Sequence, residues 1–255
     1  MSIQNLKDFA DQRGIKLKIQ KAIVEEATEN IAKKYNYSKD QIKENFDNLL
    51  FEIESEAYKV YLKYEKEYGE NVLKTFIDHL VKTDKITNLN QVGEVLSRHF
   101  NIFDKFFLSL GQSRRTRAGS SFETIHNSLF KVLNYKFDEQ KVINGKPDFL
   151  MPSLKHYKEN PMDCIIFTSK RTLRERWRQV VTEGTRGLGF FLATIDTKVS
   201  SPQLSEMLNH RIYLVCPESI KSKYYSDKVN VLSFTQFFKD FLDPSLERWA
   251  RNKII

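Results

Sequence analysis

Apolar residues in the first part of the chain recur at the intervals of an amphipathic helix. From Ser38 to Gly69 they fall three or four positions apart, as one buried helix face requires. Ser38 and Gln41 have the spacing of a capping box at the start of this helix, and Gly69 is its predicted end. Further helical patterns follow, so we predict that residues 1–110 form a helical N-terminal region.

After residue 110 the pattern changes to short apolar runs that alternate with helical stretches. An amphipathic helix, SSFETIHNSLFKVLN, precedes five runs typical of β-strands: EQKVI, DFLM, DCIIFTSK, GFFLATI and RIYLVC. Helical patterns begin near Leu173, Pro202, Pro217 and Thr235. This alternation predicts an α/β fold, with a central mixed β-sheet flanked by helices, over residues 111–255.

The charge of the chain favours a polyanionic partner. Lys and Arg number 41 and Asp and Glu 33, which leaves a net charge of +8. Two local clusters carry much of the excess, whereas the remaining sequence mixes both signs. They are QSRRTRAG at 112–119 and SKRTLRERWR at 169–178.

Several functional classes are disfavoured by the composition. No apolar run approaches the roughly 18 residues of a membrane span, and the first residues lack an apolar signal core, so we expect a soluble, intracellular protein. Cys164 and Cys216 lie inside apolar runs and are predicted to be buried free thiols. The five His and two Cys form no zinc pattern, and no glycine-rich phosphate loop opens a helix.

Two charged residues mark the ends of predicted strands. Asp148 opens the strand after the turn NGKP, and Lys170 closes the strand DCIIFTSK. If these strands are antiparallel neighbours, the two side chains meet at one sheet edge. A carboxylate there can hold Mg²⁺ together with a second acid, for which Glu183 is the best candidate. A nearby ammonium can orient a water and offset charge on a phosphate.

Ordinary roles remain open for each of these residues taken singly. Pro147-Asp148 is a common turn dipeptide, and Thr172 with Glu175 fits a capping box. Glu183 could be a surface acid near a helix end. These ordinary roles do not explain why all of these residues occur together and in this order.

The segments GKPDFLMPS, SKRTLRERWRQV and TEG resemble the PD-(D/E)xK type II restriction endonucleases of the EcoRII/PspGI-like branch, which reads CC…GG sites. That branch carries Pro-Asp, then Ser/Thr-x-Lys, then Arg/Lys-Asp/Glu-Arg, and finally a Glu on the helix. Thr168 stands where most nucleases of this fold have an acid, which makes the later Glu necessary. The matching positions are Pro147-Asp148, Thr168-Ser169-Lys170, Arg174-Glu175-Arg176 and Glu183.

The resemblance covers about 110–242 and implies a restriction-endonuclease-like core. It implies that Asp148, Lys170 and Glu183 are catalytic, with Mg²⁺ held by Asp148 and Glu183 and with Lys170 beside the attacking water. Glu123 corresponds to an additional acid near the metal. The implied activity is Mg²⁺-dependent double-strand cleavage at a palindromic CCNGG, CCWGG or CCGG site, leaving 5′-phosphate and 3′-hydroxyl ends.

The resemblance also implies roles in DNA binding. Arg174, Glu175 and Arg176 would read the G·C pairs in the major groove, with Gln112 assisting at the outer pair. Contacts to phosphates, which set the register on DNA, are expected from the other basic cluster. Its arginines are Arg114, Arg115 and Arg117.

The expected assembly is a homodimer on a palindrome, with a cognate DNA methyltransferase as functional partner and not as a binding partner. Some relatives flip the central bases and stack them on an aromatic ring, for which Phe51, Tyr58 and Tyr61 are candidates by type and region. Two alternatives stay open: a structure-specific repair or junction nuclease of the same fold, and a non-catalytic DNA-binding protein.

Overall fold

The computed structural model describes residues 5–84, 86, 88–143, 145–173 and 189–255, without the side chains of residues 89, 115, 116 and 118–121. It groups the chain into two compact units. One comprises Met1–Ala27 and Ser55–Ser121, and the other comprises Thr28–Glu54 and Phe122–Ile255. The division of the chain at residue 110 stays a prediction.

Helices dominate the first half of the described chain. The Ser38 capping box is confirmed, since Ser38 accepts from the backbone of Gln41 and the Gln41 side chain accepts from the backbone of Ser38. The predicted helix end at Gly69 is wrong. The helices are α1 (Leu6–Asp11), α2 (Gln20–Tyr35), α3 (Lys39–Glu44), α4 (Phe46–Thr83), α5 (Leu89–Arg98) and α6 (Phe100–Val132).

Helix α4 continues through Gly69 because both neighbouring turns are packed. Tyr68 and Val72 lie in the same apolar cluster as Phe76 and Phe106, within the first unit. A single glycine inside a helix costs only about 1 kcal/mol, which the burial of these side chains outweighs.

Within the described residues, six strands form one mixed sheet in the order β1 to β6. The β1–β2 and β2–β3 pairs are antiparallel, whereas the β3–β4, β4–β5 and β5–β6 pairs are parallel. The mixed α/β sheet is therefore confirmed, although the short sixth strand was not predicted. The strands are β1 (Asp138–Glu139), β2 (Phe149–Met151), β3 (Ile165–Ser169), β4 (Gly189–Ala193), β5 (Ile212–Cys216) and β6 (Val231–Ser233).

Helices flank this sheet on the described part of the chain. One face carries an aliphatic cluster that includes Ile166, Leu192 and Leu214. Phe167 contacts His126 and Phe130 from the second-unit part of α6. The remaining helical segments are α7 (Leu154–Glu159), the 3₁₀ turn Pro161–Asp163, Ser201–Asn209, Glu218–Tyr224, Phe234–Phe237, the π-helical Phe238–Leu242 and Asp243–Arg251.

Three buried side chains show how strongly burial disfavours charge in this core. Burial lowers the pKa of His126 to about 4, so the imidazole is neutral among its phenylalanine neighbours. Cys164 and Cys216 are buried free thiols, as predicted, and burial raises the pKa of each to about 12. No helix among the described residues is long and apolar enough to cross a membrane.

Candidate functional site

The antiparallel pairing of β2 and β3 brings Asp148 and Lys170 together. Phe149 pairs with Phe167, so Asp148 just before β2 lies beside the carboxyl end of β3, which Lys170 follows. The predicted adjacency of these two residues is confirmed. Lys170 is held at this edge by its backbone N–H, which donates to the carbonyl of Ala193 at 2.9 Å.

Asp148 is held by its surroundings as a buried carboxylate, with 3% of its surface exposed. The backbone N–H of Ser169 donates to its Oδ2 at 2.8 Å, and Gln140 Nε2 donates to its Oδ1 at 3.0 Å. Its own N–H donates to Thr168 Oγ1 at 3.3 Å. The orientation of the carboxylate is thus set before any ligand arrives.

Lys170 contacts the same carboxylate. Its Nζ lies 3.1 Å from Asp148 Oδ2 and 3.4 Å from Oδ1, while 30% of the lysine side chain stays exposed. The ammonium therefore contacts a buried anion on one side and remains accessible on the other. This arrangement suits a group that must meet a phosphate arriving from solvent.

Glu123 approaches this pair from α6. Gln140 Nε2 donates to Glu123 Oε1 at 2.7 Å and so bridges the two carboxylates. Burial raises the pKa of Glu123, and the nearby charge of Asp148 raises it further. The two acids therefore repel each other, and the nearby Lys170 ammonium offsets this repulsion only in part.

Gln140 is a site residue that the sequence analysis missed. It adopts a left-handed backbone conformation, with φ of 53°, directly after β1, and its N–H donates to the carbonyl of Asp148 at 3.1 Å. A glutamine in the run EQKVI carries no motif, so only the folded backbone shows that its amide reaches both acids.

The donors present fit a hard divalent cation. Asp148 and Glu123 offer carboxylate oxygens, the ligands that Mg²⁺ prefers, and their mutual repulsion favours a bound positive charge. Among the described residues, no three His, Cys, Asp or Glu side chains form a group that could hold a metal ion. The predicted third member, Glu183, lies outside the described residues.

The predicted base-reading triplet also lies outside the described residues. This applies to Arg174, Glu175 and Arg176, and the side chain of Arg115 is not described either. Gln112 lies exposed on α6.

Two arginines of the predicted phosphate-binding cluster make contacts within the first unit. Arg114 Nε donates to both oxygens of the buried Glu65, at 2.8 and 3.0 Å. Arg117 donates to Gln20 Oε1 at 3.1 Å, and its guanidinium carbon lies 5.0 Å from the centre of the Tyr61 ring. Both side chains are thus oriented by neighbours, and their contact with DNA stays a prediction.

The three aromatic candidates for base stacking differ in exposure. Phe51 is 42% exposed and Tyr58 is 54% exposed, whereas Tyr61 is only 3% exposed. The first two rings are therefore accessible at the surface, whereas the Tyr61 ring is buried.

Comparison with known proteins agrees with the fold and with the resemblance in sequence. The model of the EcoRII C-terminal family matches residues 80–238, more than half of the chain. The type II restriction enzyme SsoII of Shigella sonnei is 26% identical over 226 residues, which cover 82% of this chain and 72% of that enzyme. The type II restriction enzyme EcoRII of Escherichia coli is 32% identical over 142 residues, 52% of this chain, but the match spans only 35% of EcoRII.

Solved structures of restriction endonucleases share the architecture. Metal-depleted Ecl18kI in complex with uncleaved, modified DNA superposes with a TM-score of 0.69 and 25% identity, covering 95% of this chain and 83% of that one. The PspGI-substrate DNA complex has a TM-score of 0.63 and 20% identity, covering 91% and 94%, and supports the fold alone. The predicted restriction-endonuclease-like fold is confirmed, and the chain belongs to the EcoRII C-terminal family of type II restriction endonucleases.

Proposed function

We propose that this DNA endonuclease requires Mg²⁺ and cuts both strands of a short palindromic CC…GG site, of CCNGG, CCWGG or CCGG type. The observation that carries the proposal is the fixed contact between the buried Asp148 carboxylate and the Lys170 ammonium, with Glu123 bridged to Asp148 by Gln140. A carboxylate pair beside an ammonium is the donor set that Mg²⁺-dependent phosphodiester hydrolysis needs.

In the proposed site, Asp148 and Glu183 would hold Mg²⁺, with Glu123 as an additional acid. When bound there, Mg²⁺ would supply positive charge that polarises the scissile phosphate and makes the attacking water easier to deprotonate. Ser169 and Gln140 keep the Asp148 oxygens in place, so that the ligand geometry costs little to assemble.

Lys170 acts on the attacking water and on the phosphate in this proposal. Its ammonium orients the water oxygen and offsets the negative charge that grows on the phosphate oxygens. The water oxygen forms a bond to phosphorus and gives up a proton to solvent, while the bond from phosphorus to the 3′ oxygen breaks and that oxygen takes up a proton from solvent. The products then carry a 5′-phosphate and a 3′-hydroxyl.

Recognition is proposed to follow the chemistry of the basic segments. Arg174, Glu175 and Arg176, with Gln112, would read the G·C pairs, because Arg pairs with guanine and Glu accepts from cytosine. Phosphate contacts would come from the cluster around 114–117, although Arg114 already pairs with Glu65. The structural likeness to a DNA complex of Ecl18kI supports DNA as the partner.

A homodimer would place one active site on each strand of the palindrome, and a cognate methyltransferase would protect the host DNA. Such an enzyme acts in the cytoplasm of a prokaryotic cell, where the DNA is. Phe51 and Tyr58 are the exposed candidates for stacking on an extruded base, and Tyr61 the buried one.

The proposal is tested by incubating plasmid DNA with the purified protein, with Mg²⁺ and with EDTA. We expect discrete fragments with Mg²⁺ and intact plasmid with EDTA, and sequencing the fragment ends should give the site, the overhang and the 5′-phosphate. Asp148→Asn should remove the fragments, whereas the exposed Asp227→Asn should leave them.

Other outcomes would replace the proposal. Binding to DNA without cleavage under any divalent cation would favour a DNA-binding protein without catalysis. Nicks at branched or damaged DNA, with no discrete fragments from intact plasmid, would favour a repair or junction nuclease of the same fold.

A further inference from the structure

Residues 170–173, which follow β3, are hydrogen-bonded to residues at and just after the end of β4. Lys170 N–H donates to the Ala193 carbonyl at 2.9 Å, and Thr194 Oγ1 donates to the Arg171 carbonyl at 3.2 Å. Leu173 N–H then donates to Asp196 Oδ2 at 2.9 Å. The side chains of Thr194 and Asp196 thus continue the hydrogen bonding between the two chain segments beyond the ends of the parallel strands β3 and β4.

Asp196 is itself held at several points. Its Oδ1 accepts from the Lys198 N–H at 2.9 Å, and its own N–H donates to Thr194 Oγ1 at 3.1 Å. Its carbonyl accepts from the Tyr225 hydroxyl at 2.8 Å. A carboxylate oriented in this way is a rigid acceptor for the Leu173 N–H, and hydrogen bonds to a charged group are about twice as strong as neutral ones.

Both the backbone and the side chain of Leu173 are therefore anchored. Its side chain is buried in the aliphatic cluster that also contains Leu204 and Tyr225. Arg171, two positions earlier, forms an ion pair with Glu54 of the same unit. The chain then continues directly to Arg174, the first residue of the proposed base-reading triplet.

Leu173 lies in the sequence between the proposed catalytic Lys170 and the proposed base-reading triplet 174–176. Arg174, the first residue of the triplet, is only four positions after Lys170. Four residues of extended chain span at most roughly 14 Å, so the triplet starts within that distance of Lys170. Bidentate contacts between arginine and guanine lose their discrimination when the guanidinium is misplaced by about 1 Å. The position of residue 173 relative to Lys170 therefore affects how base reading is connected to cleavage.

We propose that Asp196 is a positioning residue for sequence discrimination, which holds Leu173, the residue before the proposed base-reading triplet, in register with Lys170. The inference rests on the proposed function of the triplet 174–176. Asp196 acts through the Leu173 N–H and touches neither DNA nor metal in this assignment. Its removal should therefore reduce selectivity more than general DNA affinity.

The test compares Asp196→Ala with the native protein on two duplexes. One contains the site identified from the ends of cleaved plasmid, and the other has a single G·C pair of that site replaced. Affinities are measured in EDTA, and single-turnover cleavage rates are measured with Mg²⁺. We expect the ratio between the two duplexes to fall about tenfold in Asp196→Ala, with affinity for the substituted duplex changed by less than about threefold.

Two further variants separate positioning from charge. Asp227→Ala removes an equal charge at an exposed position and should keep the native ratio. Asp196→Asn retains one acceptor oxygen and should give an intermediate ratio. Thermal unfolding checks that each protein is folded, and if Asp196→Ala is not, Thr194→Val takes its place with the same expected loss of selectivity.

The outcomes of the two proposals are distinguishable. A native protein that cuts no DNA overturns the proposed function. A native protein that cuts its site, together with a folded Asp196→Ala or Thr194→Val of native selectivity, overturns only the positioning role of Asp196.

Discussion

A shielded carboxylate lies beside each end of strand β3, but the surroundings of the two carboxylates differ. At the amino end, Asp163 accepts from His156 Nε2 at 2.8 Å and from Arg248 Nε at 2.6 Å. Trp249 Nε1 adds a third side-chain donor at 3.1 Å. Burial raises the pKa of Asp163, but the hydrogen bonds from His156 and Arg248 outweigh it, so the pKa lies below its usual value.

At the carboxyl end, the negative charges of two acids are only partly compensated by nearby positive groups. Asp148 has one ammonium partner in Lys170, and Glu123 lies close enough for the Asp148 charge to raise its pKa in addition to the effect of burial. The Asp163 cluster connects the helix Asp243–Arg251 to the amino end of β3 through donors and an acceptor that compensate one another. The cluster at the carboxyl end keeps an excess of negative charge where a cation can bind, which costs stability and suits catalysis.

The difference teaches that a shielded carboxylate alone does not indicate a functional site. Asp163 and Asp148 both flank the same strand, and the balance of donors against acids distinguishes the compensated Asp163 cluster from the proposed catalytic one. Variants at the two ends of β3 should therefore separate stability from activity.

The largest effect is expected from Lys170→Ala. Loss of the ammonium removes the group that is proposed to orient the water and offset charge, so the single-turnover cleavage rate should fall by at least about 10³-fold, roughly 4 kcal/mol. Lys155→Ala, an exposed lysine on α7, is the matched control and should cut at the native rate. A folded Lys170→Ala protein of native activity would remove Lys170 from the catalytic group.

A smaller effect, on stability instead of activity, is expected from Asp163→Ala. His156, Arg248 and Trp249 lose their common acceptor, which should lower the free energy of unfolding by about 2 kcal/mol in urea titrations at pH 7. Well below the unfolding temperature, the cleavage rate should stay native. A large loss of activity in the folded variant would contradict the separation of the two ends.

The pH dependence of this variant follows from the lowered pKa. Asp163 contributes stability that is present above the pKa of the unfolded state, about 3.9, and is lost as pH falls through the lower folded pKa. The native protein and Asp163→Ala should therefore differ at neutral pH and converge in strong acid.

The smallest effect is expected from Glu123→Gln in the absence of divalent cations. Because the folded pKa of Glu123 is raised, the ionised group destabilises the fold at neutral pH, and the native protein gains stability as pH falls through that raised pKa. Replacement by the neutral amide should raise the free energy of unfolding at pH 7 by about 0.5 kcal/mol and remove the gain on acidification. Urea titrations at several pH values measure both, and equal pH slopes in the two proteins would refute the repulsion.

Much of the site was predictable from local sequence. The turn before Asp148 and the strand before Lys170 indicated that the two charges would meet at one sheet edge if the strands were antiparallel neighbours, and the structure shows that pairing. Ser38 with Gln41 identified a helix start, because a capping box depends only on residues three positions apart. The order of motifs around Asp148 and Lys170 was sufficient to indicate the family.

Other features depended on residues distant in the sequence. Packing on both sides carried α4 through Gly69, against its local preference. Gln140 and Asp196 carry no motif, and their roles arise from contacts with Glu123 and Leu173, 17 and 23 positions away.

The sequence by itself determined most of the helices and strands and placed Asp148 and Lys170 at strand ends, because periodicity and turn chemistry act over a few residues. Only the tertiary structure decided which acids share a hydrogen-bond donor, which arginines are paired and which aromatic rings are exposed. The physical reason is that burial and charge compensation depend on neighbours brought close by the fold, which no local pattern encodes.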